Sequence, residues 1–214
     1  MISLGRVVTA ADAKFAPFAT YLKQKAQLLG YPVTVFDLGG LGYGPPLETA
    51  SSDLVKKSFV PCVFKPRAIR RALELTQEEY LLWIDSDCTI EEKIDEIFTS
   101  DYDVGVTRRD EAEVYRYRNN PKVGEINSGV IFFRRSVRLD SFLEQWEGRA
   151  RFHNLEQQAL NELVANGLPG VRFKKFPCRV YNNFYFDSQN TERVKVIHYK
   201  GGRQVRLRNI LSNN

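Results

Sequence analysis

The run Tyr80-Leu81-Leu82-Trp83-Ile84-Asp85-Ser86-Asp87 sets two carboxylates, spaced i and i+2, at the end of five consecutive apolar or aromatic residues. An apolar run of this length reads as a buried strand of a parallel sheet, covered on both faces. In open α/β sheets, ligands sit beyond the carboxyl ends of the strands. Residues two apart in an extended chain point the same way, so Asp85 and Asp87 could face one ligand. Two anionic, oxygen-rich side chains suit a hard divalent cation such as Mg²⁺ or Mn²⁺. A second pair with the same spacing, Asp101-Tyr102-Asp103, precedes an apolar run instead of ending one. It reads as a solvated turn on the opposite edge of the sheet.

The elements that would position the pair follow from periodicity and punctuation. Arg6 to Ala10 reads as a first strand, and Lys14 to Leu29 has apolar residues at helical spacing before Gly30, a usual helix stop. Pro32 to Leu38 reads as a second strand, giving a strand-helix-strand unit with a right-handed crossover. Gly39 to Pro46 is a glycine- and proline-rich loop whose spacing fails a dinucleotide fingerprint. A helix is expected from Pro66 to about Glu79, a short helix over Glu91 to Phe98, and a strand at Val104 to Val106. Asn127 and Ser128 read as a turn leading into a buried strand that ends near Phe133. Helices near Leu139–Ala150 and Leu155–Ala165 follow, then strands at Val171–Phe176, Val180–Phe186 and Val194–Tyr199.

Composition narrows the class. The 214 residues are 43% hydrophobic and 27% charged, which suits a folded domain with an ordinary core. No stretch of apolar residues is long enough to span a membrane, and Met1 to Val8 lacks a secretory pattern. Cys62, Cys88 and Cys178 are scattered, which argues against a disulfide framework or a zinc site and for a cytoplasmic protein. The net charge of +5 hides an asymmetry: residues 171–214 hold ten Lys/Arg against two Asp/Glu. That basic segment reads as a solvated surface or as a face for phosphate, anionic lipid or nucleic acid.

Two chemistries compete for the carboxylate pair. With Thr89, Asp85-Ser86-Asp87-Cys88-Thr89 matches the D-x-D-x-T pattern of haloacid-dehalogenase-like phosphatases. There the first Asp is the nucleophile and the second a general acid/base. In that family, however, the motif ends the first strand, and no later acidic pair follows an apolar strand here. The other chemistry is sugar-nucleotide transfer, in which a metal neutralises charge on a nucleoside diphosphate leaving group.

Four segments, in order, resemble glycosyltransferases of the GT-A fold, particularly the glycogenin-like family eight. Asp85-Ser86-Asp87 resembles its D-x-D, Asn127-Ser128-Gly129 its N-[ST]-G, Glu156-Gln157-Gln158-Ala159-Leu160-Asn161 its D-Q-x-x-L-N, and His198-Tyr199-Lys200-Gly201 its H-[FY]-x-G. The resemblance spans roughly Val7 to Gly202. It implies a single three-layer α/β/α domain with a mixed, mainly parallel sheet. Residues 1–110 would form the nucleotide-binding half and 111–214 the sugar- and acceptor-binding half.

The resemblance also implies the site. Asp85, Asp87 and His198 would hold Mn²⁺ or Mg²⁺. Asn127 and Gln157 would hold the donor sugar, and Lys65 would balance the diphosphate. Thr9, Ala10 and Asp12, at the end of the first strand, would meet the base and ribose, with Asp12 as a plain helix cap the alternative. Ser86, Lys200 and Gly201 would complete the nucleotide contacts. The implied reaction moves a hexose from a UDP-sugar to a hydroxyl acceptor, with retention of configuration. A non-catalytic nucleotide-sugar-binding module is the alternative from another class. Expected partners are the nucleotide-sugar donor, an acceptor that is glycan, glycolipid or protein, and an anionic membrane surface touching the basic C-terminal segment. Nucleic acid is not expected. Two departures stand out: Glu156 replaces the family's Asp, and Gln204 occupies the position where the family often has a diphosphate-binding lysine.

Overall fold

The computed structural model describes residues 4–38, 64–120, 122–184 and 193–212. The Gly39 to Pro46 loop lies outside them. Strand β1 (Gly5–Ala11), helix α1 (Ala16–Leu28) and strand β2 (Val33–Asp37) form the expected opening unit. Pro17 begins α1, and Gly30, at φ +88°, ends it; Gly30 and Tyr31 amides donate to the carbonyls of Gln27 and Ala26.

Helix α2 (Phe64–Leu75) leads to β3 (Tyr80–Ile84). It stops four residues before the expected Glu79 because its last carbonyls are claimed by side chains. Thr76 Oγ1 donates to Ala72 O, and Arg135 donates to the carbonyls of Leu73 and Thr76. A short strand, β4 (Cys88–Ile90), follows, and in place of the helix expected over Glu91–Phe98 there is a 3-10 turn at Asp95–Thr99. Strand β5 (Val104–Arg108), helix α3 (Glu111–Arg116), and strand β6 (Ile126–Arg134) come next.

Helices α4 (Val137–His153) and α5 (Glu156–Asn166) match the expected pair and precede β7 (Phe173–Pro177). Val180–Phe186 is not a strand where it is described. A helical turn, α6 (Cys178–Tyr181), closes with Asn182 N on Cys178 O and the Asn183 side chain on Arg179 O. Asn side chains that bond their own backbone compete with strand pairing. Strand β8 (Val196–His198) and helix α7 (Gln204–Ser212) complete the chain.

The main sheet has the order β2-β1-β3-β6-β5-β7. Only β6 runs against the others. Alternate residues of β3 enter two cores, as an all-apolar strand requires. Leu81 and Trp83 face a core shared with α2, α4 and α5, whereas Tyr80, Leu82 and Ile84 face one that takes residues from α1 and β4. This is a three-layer α/β/α fold with a mainly parallel sheet. A separate two-stranded antiparallel sheet pairs β4 with β8, setting Cys88 opposite His198.

In the second carboxylate pair Asp101 is exposed as expected, but Asp103 departs from expectation. Asp103 is fully buried, not solvated. Its carboxylate accepts from the Arg172 amide at 2.9 Å and from Arg172 Nε at 3.1 Å, so it ties β5 to the approach to β7.

Candidate functional site

Because β6 is antiparallel, its first residues lie beside the last residues of β3. The Asp85 amide donates to Gly129 O at 2.8 Å, joining the two motifs through the backbone. Asn127 and Ser128 are not a preceding turn; they belong to β6 itself. The register against β5 jumps from Val106–Ile131 to Thr107–Asn127, a bulge that pushes Ser128–Val130 out of the ladder. Thr107 Oγ1 lies 2.9 Å from Asn127 O and 3.1 Å from Val130 O, within reach of both carbonyls that flank the bulge.

Lys65 projects from the first turn of α2 into this place. Its Nζ sits 3.0 Å from Asp85 Oδ1, 3.1 Å from Glu156 Oε1 and 2.9 Å from Ser128 O. Burial alone would depress this ammonium's pKa, but the carboxylates of Asp85 and Glu156 outweigh it and the net shift is upward. Glu156 is held below the usual carboxylate range: burial opposes, and Lys65 and Ser128 prevail. Asp85 also accepts from Trp83 Nε1 at 2.8 Å, so its carboxylate is engaged from two sides.

Asp87 turns to a different partner. Its Oδ1 lies 3.3 Å from His198 Nε2, and its Oδ2 accepts from Gln204 Nε2 at 2.9 Å. The pKa of Asp87 falls to about 2; burial works against this, and the protonated His198 ring, with the bond from Gln204, prevails. The other ring nitrogen of His198, Nδ1, is 2.9 Å from Asn182 Oδ1. Gly129 has a steric reason to be glycine, since a Cβ there would stand 2.4 Å from His198 Cε1.

Among the described residues, Asp87, Cys88 and His198 offer ligand atoms within 4.8 Å of one another. Burial pushes the Cys88 thiol well up, which keeps it protonated and a poor ligand. That leaves a carboxylate oxygen and an imidazole nitrogen, a set that fits Mn²⁺ or Mg²⁺ better than a thiolate-seeking metal. Asp85 is outside this group because its oxygens face Lys65 and Trp83.

Asn127 is buried, with Oδ1 accepting from the Gly129 amide at 2.8 Å. Its Nδ2 has no partner among the described residues, an orphan donor beside His198. Gln157 is committed to the backbone: Nε2 donates to Lys122 O and Val123 O, and Oε1 lies 3.4 Å from Ser128 N. Asn161 exchanges bonds with both backbone groups of Ile126, so α5 clamps the lead-in to β6. Ser86 is nearly buried between the two carboxylates.

Thr9 and Ala10 are buried at the carboxyl end of β1, and the Thr9 hydroxyl lacks a partner among the described residues. Asp12 accepts from the Phe15 amide at 2.9 Å in the turn before α1, whose N-cap is Phe15. Lys200 stands 5.8 Å from the Phe184 ring, and Gly201 takes φ +62° at the turn into α7. Sequence reasoning missed Asn182, Thr107 and Arg109. Arg109 is buried and donates to the carbonyls of Val123, Gly124 and Ile126, which holds the same lead-in from its other side. Thr89, the phosphatase-like position, is buried in β4 opposite Ile197.

Comparison with known proteins agrees with this architecture. The glycosyltransferase involved in glycosylation of the major capsid of PBCV-1 superposes with a TM-score of 0.65 at 16% identity, covering 96% of this chain and 98% of its own. The galactosyltransferase LgtC, solved with donor and acceptor sugar analogues, gives 0.54 at 13% identity, covering 97% and 95%. GlyE of Streptococcus pneumoniae gives 0.53 at 14% identity, covering 97% of this chain and 62% of its own. At these identities the likeness shows the GT-A fold. No curated protein matches by sequence. The family model described as nucleotide-diphospho-sugar transferase matches residues 64–205, which include Lys65, Asp85, Asp87, Asn127, Gln157 and His198. The chain therefore belongs to the nucleotide-diphospho-sugar transferase family, and is a glycosyltransferase of that type.

Proposed function

We propose that the protein transfers a hexose from a UDP-sugar to a hydroxyl acceptor with a divalent cation, Mn²⁺ or Mg²⁺, held by Asp87 and His198 and approached by Asp85. The observation that carries this reading is the 3.3 Å approach of His198 Nε2 to Asp87 Oδ1, two groups brought together from distant parts of the chain. The low pKa of Asp87 keeps it anionic at any physiological pH. When bound, the cation would neutralise charge developing on the diphosphate leaving group.

Lys65 keeps a positive charge at the end of β3, where Asp85 and Glu156 hold it in place. Asn127 Nδ2 is the free donor suited to a sugar hydroxyl. Gln157 serves the sugar by fixing the Lys122–Ser128 lead-in that presents Asn127. Thr9 and Ala10 border the space for base and ribose, and Ser86, Lys200 and Gly201 border that for the diphosphate. We read residues 1–110 as the nucleotide half and 111–214 as the sugar and acceptor half.

Retention of configuration is part of the proposal. Asp85 and Glu156 are both tied to Lys65, which disfavours either as a covalent nucleophile. It favours a front-face reaction in which the leaving diphosphate takes the acceptor's proton. Exposed Arg206 and Arg208 on α7 favour a peripheral contact with anionic lipid in a cytoplasmic protein. No helix among the described residues is long and apolar enough to cross a membrane.

Incubation with a panel of UDP-sugars tests the function. Release of UDP that requires Mn²⁺ or Mg²⁺ and is lost in Asp87→Ala is the expected result. Binding of UDP-sugars with no turnover on any acceptor or water would instead make the protein a binding module.

A further inference from the structure

Asn182 is completely buried, immediately after α6, and its amide joins two groups from different parts of the fold. Its Nδ2 lies 2.8 Å from Thr107 Oγ1, and its Oδ1 lies 2.9 Å from His198 Nδ1. Thr107 decides which end of the amide faces which way. A hydroxyl has one proton, and two carbonyls, Asn127 O and Val130 O, lie within 3.1 Å to receive it. The hydroxyl oxygen then has only lone pairs left for Asn182. An amide oxygen turned toward it would find no proton, so the amide nitrogen must face Thr107. The buried Cys178 thiol beside Thr107 does not alter this, because it is at most a weak donor or acceptor.

The amide oxygen consequently faces the ring, and His198 Nδ1 must carry a proton to meet it. In the neutral ring, Nε2 is then a bare lone pair 3.3 Å from the anionic Asp87 Oδ1. Gln204 makes the matching arrangement on the other side, occupying Asp87 Oδ2 and leaving Oδ1 toward the ring. In the neutral ring these two acceptors face each other and repel unless a cation lies between them; only full protonation of the ring would put a proton there instead.

We propose that Asn182, anchored by Thr107, is a positioning residue that fixes His198 as the Nδ1–H tautomer and so dedicates Nε2 to a divalent cation. This rests on the cation site read above. An outer partner that orients a ligating imidazole is worth roughly 10–100-fold in metal affinity. Thr107 also spans the bulge that presents Asn127, so the same hydroxyl sets the expected sugar contact and the expected metal ligand.

Nitrogen-15 NMR of the imidazoles in the cation-free full chain tests the assignment. The chain has two histidines, and His153→Gln identifies the His198 signals. At a pH where the ring is neutral, wild type should show a protonated Nδ1 and an unprotonated Nε2. Asn182→Ala should move the proton to Nε2, which then donates to Asp87, and should weaken Mn²⁺ binding about 10–100-fold in calorimetry without nucleotide. Asn182→Asp restores an acceptor oxygen and should retain the Nδ1–H form. If Asn182→Ala fails to fold, Thr107→Val, which keeps the volume and frees the amide to rotate, should give the same change of tautomer. A wild-type ring protonated on Nε2, or a ring unchanged in Asn182→Ala and Thr107→Val, overturns the inference. A wild-type ring with the expected tautomer and no Mn²⁺ binding overturns the cation site and leaves the orienting role of Asn182 standing.

Discussion

Lys65 and Glu156 meet at 3.1 Å, joining the first turn of α2 to the first residue of α5 beside the end of β3. The ammonium also holds Asp85, so one buried cation balances two carboxylates. Lys65→Met removes that balance and leaves both anions without their cation. Breaking a buried pair costs about 3–5 kcal/mol, to be read as a lower urea midpoint at unchanged slope. A loss smaller than about 1 kcal/mol, the range of exposed pairs, would show that solvent already screens the cluster.

Asp87 gives the protein an acid-sensitive component. Its folded pKa of about 2 lies below the unfolded carboxylate value, so its contribution is complete above about pH 4 and disappears as pH falls through 2. A depression of this size is worth on the order of 2–3 kcal/mol. In cation-free protein, Asp87→Asn should flatten the stability profile between pH 4 and 2 relative to wild type. Parallel profiles would remove Asp87 as the source.

Gly129→Ala probes how closely β6 packs on the candidate cation site. The new Cβ would stand 2.4 Å from His198 Cε1 and 2.6 Å from Nδ1, so the ring must move. A displacement near 1 Å at a reacting centre costs about 100-fold in rate. UDP-sugar turnover should drop on that order while the circular dichroism spectrum stays native. Turnover within threefold of wild type would place the ring's exact position outside the reaction.

Asp103 separates the two D-x-D sequences. Fully buried and bonded to Arg172, Asp103→Asn should cost about 1–3 kcal/mol in stability and leave UDP affinity within twofold. A tenfold loss of affinity at unchanged stability would reverse the roles argued for the two pairs.

Local patterns carried much of this fold. The apolar run of β3 and the α1 face with its Gly30 stop depend on residues close in sequence, and both are found as expected. What could not be read locally depends on distant partners. Asn127 looks like a turn residue because the bulge that places it in β6 exists only against β5. Asp103 looks like a solvated turn until Arg172 arrives from before β7. The aromatic, β-branched segment Val180–Phe186 carries a strand pattern, yet Asn182 and Asn183 spend their side chains on His198, Thr107 and the backbone of α6. Helix α7 was missed because it is short and buries only Leu207 fully. Asn182 had one available signal: a polar pair, Asn182-Asn183, in an apolar surround invites the question of what it satisfies.

Calorimetry of UDP binding with and without Mn²⁺, in wild type and Asp87→Ala, tests the central claim most directly. The account predicts that wild type binds UDP at least tenfold more tightly with Mn²⁺, and that Asp87→Ala abolishes the difference. Equal affinity with and without Mn²⁺ in the wild type would contradict it.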